Sequence, residues 1–144
     1  MPKLDPSAAQ LAADLRAGLA RLNRRLRSEV APNDLSNSQK IALTHLERDG
    51  ALTVSALARL SAVRPQSMSA TISALEAQGL VSASPDPEDG RQMLYALTPA
   101  CVEYLRTMRA AREDWLYNAL TSKLTATQRA DLARAAPLIA LLAD

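Results

Sequence analysis

Apolar residues recur at steps of three and four along most of this chain, the spacing of one face of a helix. Leu11, Leu15, Leu19, Leu22 and Leu26 follow at steps of four, four, three and four, which predicts a helix over about 6–30 with one apolar stripe. Asp5 and Pro6 supply an N-cap and a first-turn proline, and Pro32, Asn33 and Asp34 end the helix. Ser36 with Gln39 three residues on forms a capping box. It opens a second helix in which Ile41, Leu43 and Leu46 make the apolar side and Gly50 marks the end. Thr53 caps a short third helix carrying Leu57 and Leu60. After a turn over 61–63, Arg64 and Pro65 open a fourth helix that runs to Gly79. On it Met68, Ile72 and Leu75 lie within about 60° of one another at 100° per residue and form a buried stripe.

The period then changes. Residues 80–84 and 91–97 predict two strands, the second with Met93, Tyr95 and Leu97 on one face. Between them Pro85-Asp86-Pro87-Glu88-Asp89-Gly90 is dense in turn formers and predicts a β-hairpin with a polar tip. Helical spacing returns with Thr98 and Pro99, which open a fifth helix to about residue 122. Thr125 with Gln128 forms a second capping box for a sixth, where the missing N–H of Pro137 predicts a kink or break. The expected fold class is mostly α with a small β-hairpin, divided as 1–34, 35–98 and 99–144 within one compact domain. A helix, turn, helix arrangement followed by a hairpin has the order of a winged helix-turn-helix.

Composition narrows the chemistry. One Cys and one His in 144 residues exclude an internal disulfide framework and a zinc site. Four dispersed glycines exclude a Gly-rich phosphate loop. No nucleophile stands with a base, so an enzyme is not expected, nor is a cofactor or metal. His45, mid-helix between Leu43 and Leu46, reads as a packing or surface residue. The longest apolar run, 138–143, is far short of the roughly 20 residues of a membrane span. No apolar signal core opens the chain, so a cytoplasmic location without membrane contact is expected.

The fourth helix turns Gln66, Ala70, Ser73 and Ala77 away from its apolar stripe, with Ser69 on their flank. That face is small, hydrogen-bonding and uncharged, which suits close approach to another surface. Charge divides unevenly: residues 1–34 carry six basic and four acidic groups, 35–98 five and six, and 99–144 six and five. A nucleic-acid footprint is ordinarily basic. The slightly acidic middle therefore leaves open a winged helix used for protein interaction or architecture without specific DNA binding.

Over nearly its whole length the chain resembles the MarR family of bacterial transcription regulators. The resemblance is carried by Leu35-Ser36-Asn37-Ser38-Gln39, by residues 57–60, and by Ile72-Ser73-Ala74-Leu75-Glu76-Ala77-Gln78-Gly79-Leu80-Val81. Its most specific part is Asp86-Pro87-Glu88-Asp89-Gly90-Arg91 followed by Leu97-Thr98-Pro99-Ala100. It implies a homodimer in which the first, fifth and sixth helices interlock, with Leu11, Leu15, Leu132 and Ile139 in the interface. Each fourth helix would enter a major groove of double-stranded DNA at a pseudo-palindromic operator, and each wing would follow the flanking minor groove. Arg64, Gln66, Ser67, Ser69 and Ser73 would then meet phosphates and base edges. Arg91 would be the wing arginine and Asp89 the acid holding its guanidinium. The family also implies a repressor released by a small effector bound between the dimerisation helices and the winged helix. An aromatic or phenolic acid is the expected class.

The chain departs from the family's pattern in two places. Ser82, Ala83 and Ser84 stand where a basic residue is common, and Asp86, Glu88 and Asp89 leave the wing net negative. Arg21, Arg24, Arg25 and Arg27 on the first helix are either a compensating field or a solvated face. Cys101 stands where the family often has Gly, in the first turn of the fifth helix, where a helix N-terminus can lower a thiol pKa. Tyr95, Tyr104, Trp115 and Tyr117 read as core or dimer packing, or as cleft lining.

Overall fold

The computed structural model describes residues 5–30 and 35–143. The expected stop signal at Pro32, Asn33 and Asp34 lies outside them. Six helices and one hairpin follow in the order α1 (Pro6–Val30), α2 (Asn37–Asp49), α3 (Val54–Leu60), α4 (Pro65–Ala77), β1 (Val81–Pro85), β2 (Met93–Leu97), α5 (Pro99–Lys123) and α6 (Ala126–Leu141). Both capping boxes form. Ser36 Oγ accepts from the Gln39 N–H while Gln39 Oε1 accepts from the Ser36 N–H, and Thr125 and Gln128 do the same for α6. At α2 this reciprocal bonding satisfies Gln39, a buried polar residue among apolar neighbours.

The chain divides into two units, Asn33–Thr107 and the segments Met1–Pro32 with Met108–Asp144. The boundary runs inside α5, so that helix's first two turns belong with the hairpin. In the first unit Ala42, Leu43, Leu46, Leu57, Ala58, Met68, Ile72, Leu75, Val81 and Cys101 form a sealed core. Each large side chain there contributes about 1.5–3 kcal/mol by leaving water. Among the described residues of the second unit none is buried.

The hairpin is antiparallel, with Val81 opposite Leu97 and Pro85 opposite Met93. Its strands are displaced from the predicted 80–84 and 91–97. At the first strand the N–H of Leu80 still bonds the Leu75 carbonyl at the end of α4. At the second, Arg91 and Gln92 are absorbed in the turn. Leu52 adds a third, single-residue rung by exchanging both backbone bonds with Tyr95. No periodicity announces a one-residue partner.

Other expectations are corrected. Ile41 and Leu60, assigned to apolar sides, are exposed at 38% and 44% because α2 and α3 each bury only a narrow strip of their short surfaces. α6 is not broken at Pro137. Four residues follow the proline in the helix, so its missing N–H removes one bond near an end where carbonyls are already unpaired. The Cys101 thiol is pushed up rather than down. Burial is the larger cause and the nearby Glu47 carboxylate adds to it. Among the described residues no helix is long and apolar enough to cross a membrane, and no group of side chains could hold a metal ion.

Candidate nucleic-acid interface

The α3–α4 corner is a tight turn. Ala62 adopts a positive φ of 52°, and the N–H groups of Ala62 and Val63 bond the carbonyls of Arg59 and Ala58. A left-handed residue ends α3 and turns the chain towards α4, although alanine pays a steric cost there that glycine would not. Arg64 is the N-cap of α4 but makes no side-chain capping bond. Pro65 at the first helical position starts the helix in its place.

Met68, Ile72 and Leu75 are buried as the pattern requires. That anchorage fixes the rotation of α4 and leaves Arg64, Gln66, Ser67, Ser69 and Ser73 exposed. Ser67 lies towards the corner, where its carbonyl accepts from Thr71 Oγ1. It lines a small hollow of about 40 Å³ with Ser38, Ile41, Ser61, Val63, Met68 and Thr71. The charge-free stripe therefore presents amide and hydroxyl groups over a rigid helix.

At the other end of α4, Gly79 takes a positive φ of 71° and Leu80 turns into β1. Thr98 closes this corner: its Oγ1 donates to the Gly79 carbonyl at 2.7 Å and accepts from the Cys101 N–H at 3.1 Å, while its own N–H bonds the Leu80 carbonyl. One hydroxyl joins the end of α4, the end of β2 and the start of α5. In the sequence Thr98 reads as a helix cap and as part of a family motif. Its signal was the Leu-Thr-Pro motif, whose cross-chain bond to residue 79 no local pattern reveals.

The wing tip is held by two acidic side chains. Asp86 Oδ1 accepts from the Glu88 N–H at 2.9 Å, and Asp89 Oδ1 accepts from the Arg91 N–H at 3.1 Å. Asp89 Oδ2 lies 3.4 Å from Gln92 Nε2. The expected grip of Asp89 on the Arg91 guanidinium is therefore corrected. The carboxylate closes a turn through the backbone of Arg91, because an aspartate two residues upstream reaches that N–H without strain. The Arg91 side chain is exposed at the tip.

The dimerisation candidates lie in the other unit. Leu11 and Leu132 are exposed at 59% and 43%, and Leu15 and Ile139 are half-buried. Leu19, Leu22, Leu138 and Tyr117 add to the exposed apolar surface of the same unit.

Known proteins resemble this chain in sequence and in fold. A family model described as MarR family matches residues 33–92. An HTH-type transcriptional regulator of Mycobacterium leprae is 41% identical over 138 residues, 96% of each chain. A solved structure from Pseudomonas aeruginosa, described as a transcriptional regulator, superposes with a TM-score of 0.84 at 34% identity, over 96% of this chain and 98% of that one. A mutant of the S. aureus protein MepR, solved bound to an oligodeoxyribonucleotide, shares the fold at 18% identity with a TM-score of 0.71, over 92% and 96%.

Proposed function

The chain belongs to the MarR family of DNA-binding transcription regulators, and from that premise we propose a cytoplasmic homodimeric repressor that reads a pseudo-palindromic operator and is released by a small effector. The observation that carries the reading is the two-sided character of α4. Met68, Ile72 and Leu75 are sealed in the core while Gln66, Ser69 and Ser73 stand outside without charge. Gln bonds adenine bidentately and Ser accepts several base edges, so this face reads bases where a lysine-rich face would only hold phosphates. Arg64 and Ser67 contribute at the helix entry, and Arg91 enters the minor groove from the tip that Asp89 shapes. The oligodeoxyribonucleotide on the S. aureus fold neighbour supports the same use of the fold.

Two copies follow from the second unit. Helices α1 and α6 and the rear of α5 bury no described residue within one chain, and they expose Leu11 and Leu132 with half-buried Leu15 and Ile139 beside them. A partner copy covers such a face at the least cost in new sequence, and a two-fold pair matches a two-fold operator. The effector, an aromatic or phenolic acid, acts by favouring a half-site spacing the duplex does not offer. A preference of about 1–3 kcal/mol lowers DNA affinity by one to two decades, and DNA must weaken the ligand equally.

Selection of bound duplexes from genomic fragments tests the core of the reading. Recovery of one pseudo-palindromic sequence with half-sites about one helical turn apart is expected, and recovery of fragments without common sequence would refute specific readout. Phenolic acids titrated with and without that duplex test the effector, since binding indifferent to DNA removes them.

A further inference from the structure

The two units differ in charge as well as burial. Residues 33–107, which hold α4 and the wing, carry six basic and eight acidic side chains, while the remaining segments carry eleven and seven. The unit with the readout elements is net negative, and a duplex is a dense polyanion that binds proteins largely by phosphate neutralisation. Positive charge concentrates instead on α1. Between residues 15 and 28 stand Arg16, Arg21, Arg24, Arg25 and Arg27 with no acid among them.

Only Arg25 of the five forms an ion pair among the described residues, to Glu29 at 2.8 Å. Arg16, Arg21, Arg24 and Arg27 are exposed. At 100° per residue these four fall within an arc of about 140°, and the leucine stripe of Leu11, Leu15, Leu19, Leu22 and Leu26 lies on the other side. Covering the leucines with a second copy therefore leaves the arginines outward. All four are arginine rather than lysine, and the guanidinium fork matches phosphate oxygens bidentately.

We infer that Arg16, Arg21, Arg24 and Arg27 form a second phosphate-binding surface on α1 that engages the backbone of the operator duplex, at phosphates other than those met by α4 and the wing. The inference rests on the DNA-binding reading above. This surface supplies affinity and approach rate, and the uncharged α4 face supplies sequence. The division explains how a wing with Asp86, Glu88 and Asp89 around Arg91 can be afforded.

The test replaces all four by Gln, which keeps helix propensity, and follows log Kobs against log salt for the full-length protein on its selected duplex and on a random one. Each phosphate contact contributes about 0.9 to the slope. The slope should fall by about 2 or more on both duplexes and affinity by at least tenfold, with base preference retained. The Arg→Lys version should keep most of the slope. Should the quadruple variant lose helix by circular dichroism, the Arg16/Arg27 and Arg21/Arg24 pairs carry the same comparison.

An unchanged slope in Gln variants that still bind the operator overturns the inference and leaves the DNA reading intact. An equal fall on replacing Arg106, Arg112, Lys123 and Arg134 by Gln also overturns it, by assigning the effect to net charge. So does loss of binding to phosphatidylserine vesicles with the duplex slope unmoved, which would make α1 a membrane surface. Failure of the unaltered protein to bind any duplex overturns both readings.

Discussion

Leu75 and Leu132 each sit on a helix predicted from local signals, and they end in opposite surroundings. Leu75 of α4 is 0% exposed and Leu132 of α6 is 43% exposed. The contrast extends to their units. Residues 33–107 close a core from α2, α3, α4, the hairpin and the first turn of α5, whereas the described residues of α1, the rear of α5 and α6 bury nothing. Two layers around a shared apolar centre stabilise a small module without help. Long helices that leave apolar side chains exposed need a further surface to cover them. Burial within the chain is thus confined to one of the two units.

The sharpest way to break this comparison is to separate the units. A fragment of residues 33–107 should fold cooperatively as a monomer by urea titration and circular dichroism, and a fragment of residues 108–144 should stay unfolded at micromolar concentration. A folded second fragment, or an unfolded first, would show that the core is shared. At the level of single residues, Leu57→Ala should cost about 2–5 kcal/mol at any protein concentration through cavity formation. Leu132→Asp should leave that core intact and shift sedimentation from twice the 15.5 kDa chain mass towards once.

Within the first unit, readout and scaffold should separate. Gln66→Ala should cost about 1–3 kcal/mol on the selected operator and relax base choice at one position, whereas Arg91→Ala should weaken all duplexes with a salt slope shallower by about 1. Neither should move the urea midpoint. Ala62→Gly, where φ is 52°, should stabilise the same unit by less than about 1 kcal/mol, since relief of the left-handed strain is offset by the entropy of glycine. A loss in the midpoint would show that the Ala62 methyl packs usefully.

The smallest expected effect is the pH dependence of Cys101. Its thiol is raised in the folded state, so the folded protein holds a proton the unfolded chain releases. Stability is therefore fully present below the ordinary thiol range and declines as pH rises from that range towards the folded value. Cys101→Ala should flatten the fall in urea midpoint as pH rises through and above the ordinary thiol range, and a thiol reagent should react with the unaltered protein only on unfolding. Rapid labelling of the native protein would mean that this part of the core opens.

Much of this was legible in order. The caps at Ser36, Thr53 and Thr125 and the turn chemistry of residues 85–90 are local signals, satisfied within three or four residues of themselves, and the spacing of Met68, Ile72 and Leu75 shows which face of α4 is apolar. What failed to show was non-local. The rung between Leu52 and Tyr95 and the bond from Thr98 to Gly79 join residues far apart in sequence, and no spacing rule encodes them. The misassigned partner of Asp89 came from pairing opposite charges, where the nearer backbone N–H was the better match.

Local signals alone set which segments are helical, where the hairpin turns and which face of α4 is buried, because hydrogen-bonded caps and hydrophobic period act over one or two turns of chain. Long-range packing, by contrast, buries Cys101 and raises its thiol, leaves Ile41 and Leu60 exposed, and gives the leucines of α1 and α6 no core within the chain. Burial depends on what arrives from elsewhere in the chain, and an apolar stripe looks the same in sequence whether its partner is the same molecule or another.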